Sequence, residues 1–129
     1  MTIDWSNLFK IRIANPDQSM VKHEVVKLLL VMKLLQKYKG KKNFIRIYTE
    51  QELENGNKCD VYFEDTKNKV VVAYEIQKQF NKAWLSRKAN QYKNWEVPFT
   101  KSSDWIPIPL NSLSDNIEEM YKELDKYIF

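Results

Sequence analysis

Glycine is nearly absent from this chain, with Gly40 and Gly56 the only two in 129 residues. Loops that cradle phosphate with backbone amides need several glycines within a few positions, so Walker-type and dinucleotide-binding fingerprints are excluded. Cysteine occurs once, as Cys59. A single thiol rules out an intramolecular disulfide framework and a cysteine zinc site, and it suits a reducing, cytoplasmic setting. His23 is the one histidine; a lone histidine in a helix is usually a surface residue, and no ligand role is assigned to it. Long apolar runs are missing too. The longest, Val25 to Leu35, is broken by Lys27 and Lys33, whereas a bilayer needs about 20 consecutive apolar residues. The run also lies too far from the N-terminus to be a signal peptide, so no membrane association is expected.

What is present describes a globular domain. Apolar residues make up 43% and charged residues 29% of the chain, which fits one folded domain spanning residues 1–129. Lysine and arginine number 21 against 17 acids, a net charge of +4. That balance favours a polyanionic partner, although a solvated lysine-rich surface explains it equally well.

Two strands joined by a tight turn stand at the centre: Cys59 to Glu64, then Asp65-Thr66-Lys67-Asn68, then Lys69 to Lys78. The second is apolar and β-branched through Val70, Val71 and Val72, as a central strand is, and then abruptly carries Glu75 and Gln77. Alternation puts Val71, Ala73, Glu75 and Gln77 on one face and Val72, Tyr74, Ile76 and Lys78 on the other. In the first strand it groups Asp60 with Tyr62, opposite Val61 and Phe63. Antiparallel pairing then brings Asp60 beside Glu75, so two carboxylates and an amide converge at one end of the sheet. Such a pair repels itself unless something positive lies between, and oxygen ligands at this spacing suit Mg²⁺ or Mn²⁺. Burying an unpaired carboxylate beside a valine-rich strand is costly, so Glu75 needs a reason to be there.

Around the hairpin, Phe9 to Ala14 reads as a short strand or extended arm carrying Lys10 and Arg12. Asp17 to Tyr38 reads as a helix capped by Asp17 or Ser19 and ended by Gly40. Val21, Val25, Leu28, Met32 and Leu35, widened by Leu29, form the stripe expected to pack on the sheet, with Glu24 on its border. Phe44 to Thr49 is a strand and Glu50 to Asn57 an acidic, turn-like connection. Asn81 to Trp95 is a second helix with Asn81 as its cap. Trp105 to Leu110 is a last strand, which Pro107 and Pro109 confine to an edge. Ser114 to Phe129 is an amphipathic helix capped by Ser114 or Asp115, with Ile117, Met120, Tyr121, Leu124 and Ile128 on one face. It packs on its own domain or forms a homodimer contact.

Asp60, fifteen positions before Glu75-Ile76-Gln77 and flanked by a helix on each side, resembles the PD-(D/E)XK nuclease superfamily of restriction endonucleases, RecB-type exonucleases and archaeal Holliday-junction resolvases. Cys59 stands where the signature proline would be, and Gln77 where the lysine would be. Glu-Ile-Gln is similar to the E-x-Q form of competence-protein CoiA-like sequences. The resemblance implies an α/β fold with a restriction-endonuclease-like core, a small mixed β-sheet flanked by helices in the order α-β-β-β-α-β, plus a C-terminal helix. It also implies metal-dependent hydrolysis of nucleic acid, with DNA the expected partner. Asp60, Glu75 and the Ile76 carbonyl would hold Mg²⁺ or Mn²⁺, and Gln77 would orient the attacking water or a phosphate oxygen. Glu24 resembles the first-helix glutamate that many members direct toward the metal, while an ordinary acid at the border of the stripe fits the same position.

Gln77 carries no charge, so a cation must act in the place of the lysine, either Lys58 from the face assigned to Asp60 or Lys88 from the second helix. Lys82, Arg87, Lys88, Gln91 and Lys93 are the candidates for contact with nucleic acid. Gln91 and Trp95 are similar to a Gln-x-x-x-Tyr element of RecB-type nucleases. Two other functional classes fit the same residues: a non-catalytic nucleic-acid-binding module that keeps the fold, and a protein-interaction domain working through the terminal helix.

Overall fold

In the computed structural model, the valine run Val70-Val71-Val72 opens a strand with neighbours on both sides. The structure describes residues 21–41, 43–53, 56, 58–78, 80–93, 95 and 102–128. The Phe9 to Ala14 arm and the helix caps expected at Asp17 or Ser19 lie outside the described residues. Four strands, β1 (Ile45–Glu52), β2 (Lys58–Asp65), β3 (Val70–Gln77) and β4 (Ser102–Pro109), form one mixed sheet in the order β1-β2-β3-β4. The first three are antiparallel neighbours and β4 runs parallel to β3. A parallel neighbour demands a crossover, and helix α2 (Lys82–Tyr92) lies within it. Among the described residues β4 is an edge strand, the position its prolines require.

The hairpin turn is held by Asp65, whose carboxylate accepts the Lys67 and Asn68 N–H groups at 3.0 Å each and the Asn68 amide at 2.7 Å. Lys69 closes the turn in the left-handed region, at φ 59°.

Helix α1 (Val21–Lys37) and α2 cover opposite faces of the sheet. Val26, Leu30 and Leu34 of α1 pack with Val61, Phe63, Val72, Tyr74 and Ile76, and Ile108 of β4 completes that layer. On the other face Tyr92 and Trp95 pack on Tyr62, Val71 and Ala73. Each fully buried valine or leucine contributes about 1.5–3 kcal/mol, so these layers hold the strands in register. Helix α3 (Ile117–Glu123) and a 3-10 turn over Leu124–Tyr127 cover α1 from outside, burying Met120 and Leu124 in the same core.

Two helices depart from their sequence patterns. The buried side of α1 keeps Leu29 and Leu35 of the expected stripe, with Val25 and Met32 packed against the core, but Val21 and Leu28 are exposed and the polar His23, Lys27 and Lys33 are buried. With the sheet on one side and α3 near another, α1 buries most of its circumference. The terminal helix is also shorter than Ser114 to Phe129 and is capped by Asn116, which accepts the Glu119 N–H at 3.1 Å. Ile117, at its first turn, is exposed.

Candidate functional site

The β2–β3 ladder stops at Val61 and Tyr74, and the next positions outward are Asp60 and Glu75. Beyond that point β3 continues beside β4 alone, so Ile76 has no β2 carbonyl to meet. Its N–H donates instead to Asp60 Oδ2 at 2.7 Å. The β1–β2 ladder skips at the same level, pairing Thr49 with Val61 and Gln51 with Cys59. Between them Glu50 takes a positive φ of 52°. This local break overrides the alternation inferred from sequence. Asp60 does not share the surroundings of Tyr62; its Oδ1 lies 3.1 Å from His23 Nε2 on α1.

His23 is therefore no surface residue. It is buried between Asp60 and Glu24, whose Oε1 is 3.2 Å from Nδ1. Burial pulls the imidazole pKa down, but hydrogen bonds and charge from Asp60 and then Glu24 outweigh it and hold the value above normal. The line of charge continues inward. Lys27, fully buried, lies 2.6 Å from Glu24 Oε2 and 2.9 Å from Glu50 Oε1. Desolvation opposes its charge, and the two carboxylates more than restore it. The Glu24 carboxylate thus faces His23 and Lys27, one side chain removed from Asp60.

Glu75 is gripped from the other face. Tyr92 donates to Oε1 at 2.7 Å and Lys88 Nζ lies 3.3 Å from Oε2. Burial raises the Glu75 pKa, with Tyr92 and Lys88 opposing that rise. The phase of α2 follows from its ends and its aromatics. Asn81 caps it, accepting the Trp84 N–H at 2.8 Å, and Trp84, Lys88 and Tyr92 at i, i+4 and i+8 face the sheet. Tyr92 stacks on Trp105 at 5.3 Å and 7° and meets Trp95 edge-on, while Trp84 stacks on Phe80 at 5.0 Å. Tyr92 escaped the sequence reading, although the four-residue spacing with Lys88 was there to find. Gln91, a candidate for contact with nucleic acid, is exposed on the same helix.

Asp60, Glu75, Ile76, Gln77, Arg87 and Lys88 line one cleft of about 610 Å³. Glu24, Lys58, Lys82, Gln91 and Lys93 are not among its lining residues. Lys58 is exposed at the start of β2, and Lys82, Gln91 and Lys93 are exposed on or just past α2. Lys78, expected to point away, does line the cleft.

The donor set of Asp60, Glu75 and the Ile76 carbonyl is all hard oxygen, the kind Mg²⁺ and Mn²⁺ take, and Mg²⁺ is commonly held by one or two carboxylates plus water and substrate phosphate. A carboxylate oxygen offers more than one acceptor site, so one that meets a protein donor can also face a cation, and the chemistry of the set fits such an ion. Among the described residues no three His, Cys, Asp or Glu side chains converge as a ligand group, and no helix is long and apolar enough to cross a membrane. No family model, curated protein or solved structure matches the chain.

Proposed function

We propose that this protein is a metal-dependent nuclease that hydrolyses nucleic-acid phosphodiesters, with DNA as the expected substrate, on a restriction-endonuclease-like core. The observation that carries the reading is the pair of carboxylates, Asp60 on β2 and Glu75 on β3, opening into one cleft where the two strands part. The element order α-β-β-β-α-β, with β4 parallel to β3, supports it.

Asp60, Glu75 and the Ile76 carbonyl would hold Mg²⁺ or Mn²⁺. The chemistry supplied by the ion when bound is activation of water and neutralisation of charge gathering on the phosphate. The chain's own groups prepare the rest. Ile76 N–H and His23 fix the Asp60 carboxylate, and Tyr92 fixes that of Glu75, so neither must reorganise. Gln77, on the cleft wall, orients the water or a phosphate oxygen. Lys88 supplies from α2 the positive charge that Gln77 lacks. Lys58, exposed and outside the cleft, is the poorer candidate.

The test is cleavage of labelled single-stranded, duplex and branched DNA with Mg²⁺ or Mn²⁺, comparing wild type with Glu75→Ala. Metal-dependent cutting that disappears in the variant supports the nuclease. A second reading, a non-catalytic nucleic-acid-binding module, is favoured by one observation: all four carboxylate oxygens of Asp60 and Glu75 already meet protein donors. Binding without cutting by both proteins would move that reading to first place.

A further inference from the structure

We infer that the cleft takes its nucleic acid as a single strand, with Lys78 and Arg87 as the cations that grip the incoming phosphates; the inference rests on the nuclease reading for the task of the acids that the strand reaches. Positive side chains outnumber carboxylates on the cleft lining, where Lys22, Lys78, Arg87 and Lys88 face Asp60 and Glu75. Two of these cations are committed. Lys88 lies against Glu75, and Lys22 donates to the Leu113 carbonyl at 2.7 Å and to Asp115 at 2.8 Å. Lys78 and Arg87 are exposed, and among the described residues neither forms an ion pair with an acid. They are placed to meet a polyanion without first breaking an internal contact. Lys78 is also anchored at its backbone, since its carbonyl accepts the Asn111 N–H at 3.0 Å, and Asn111 lines the same cleft.

Size selects the form of the strand. Glu75 is only 5% exposed, so a phosphate must enter the cleft to reach it. A cleft of about 610 Å³, walled by Trp84 and Leu110, has the capacity of a small-ligand pocket. A stiff duplex, whose major groove alone is about 12 Å wide, cannot readily bend one phosphate inward to Glu75. An unpaired strand can, passing Lys78 and Arg87 on the way.

The experiment is fluorescence anisotropy in EDTA, so that binding is read without cleavage. A short labelled strand, as DNA and as RNA, is compared with a hairpin duplex carrying the same number of phosphates, across a range of salt. Wild type should bind a DNA or an RNA strand at least about ten-fold more tightly than the duplex, a difference of one decade in Kd. Lys78→Gln and Arg87→Gln should each flatten the logarithmic salt slope by about 0.7, the value of one single-strand phosphate contact. Lys67→Gln, in the hairpin turn at the far end of the sheet, should leave the slope unchanged. Duplex bound as tightly as strand, or cleft variants indistinguishable from Lys67→Gln, overturns the inference. Because no metal is present, loss of the nuclease reading in the cleavage assay leaves this result intact, and the two fail separately.

Discussion

Tyr92→Phe removes a single oxygen and leaves the rest of its surroundings in place. The phenyl ring can keep the stack on Trp105 and the edge contact with Trp95, both at 5.3 Å. What disappears is the 2.7 Å hydrogen bond to Glu75 Oε1, on a carboxylate that is 5% exposed. A hydrogen bond to a buried charged group is worth about 1.5–3 kcal/mol, which at this chain length lowers Tm by about 5–10 °C. The pH dependence is a sharper check. Glu75 has a folded pKa raised by burial, so its ionisation works against folding as pH rises through that value, and Tyr92 limits the penalty. Without the hydroxyl the pKa climbs further. Urea unfolding near pH 8 should therefore show a larger loss than unfolding at acid pH. Toward acid, well below the ordinary carboxylate value of 4.5, where Glu75 is protonated in both states, the loss should shrink to that of a neutral hydrogen bond, about 0.5–1.5 kcal/mol. Equal losses at the two pH values, or a variant as stable as wild type near pH 8, would refute the reasoning.

Further outcomes follow from neighbouring contacts. Lys27→Met strands the Glu24 and Glu50 carboxylates and should cost about 3–5 kcal/mol in urea melts; a loss under 1 kcal/mol contradicts the buried triad. Because the His23 pKa is raised, its contribution to stability is fully present below the unfolded value of 6.5 and disappears as pH rises through the folded one. The stability gap between wild type and His23→Gln should accordingly narrow on going from acid to alkaline pH, and a gap that widens counts against it. Lys69→Gly relieves a left-handed backbone at φ 59° on an exposed turn and should stabilise the fold by about 0.5–1 kcal/mol; no gain in Tm would show the turn to be unstrained. Lys88→Met should slow cleavage about 100-fold or more, with Lys88→Arg recovering part of it, if the charge near Glu75 acts on the phosphate.

The sequence carried the order of elements because its signals are local. The Val70 to Val72 run, the Asp65 turn, the Asn81 cap and the prolines of β4 each act within a few residues of themselves. The approach of Asp60 to Glu75 was legible for the same reason, since a tight turn fixes hairpin register. The surroundings of Asp60 were not. They depend on a break in alternation at Glu50, and a positive φ on a glutamate leaves no trace in composition. The face of α1 was only partly legible because apolar residues occur nearly all round it, so periodicity did not single out Val26, Leu30 and Leu34. Its buried His23, Lys27 and Lys33 are satisfied by Asp60, Glu50 and Asp125, partners on other elements. Tyr92 stands four residues after Lys88, a local signal, but its bond to Glu75 forms only once α2 packs beside Trp105 of β4.

The central claim is that Asp60 and Glu75 form one metal-dependent hydrolytic centre. Its most direct test is the rate at which a labelled DNA strand is cut as Mn²⁺ is raised from zero, in wild type and in Asp60→Asn. The account predicts a rate that grows with metal and saturates in wild type, and falls about 100-fold or more in the variant. Equal rates in the two proteins, or cutting indifferent to the metal, would contradict it.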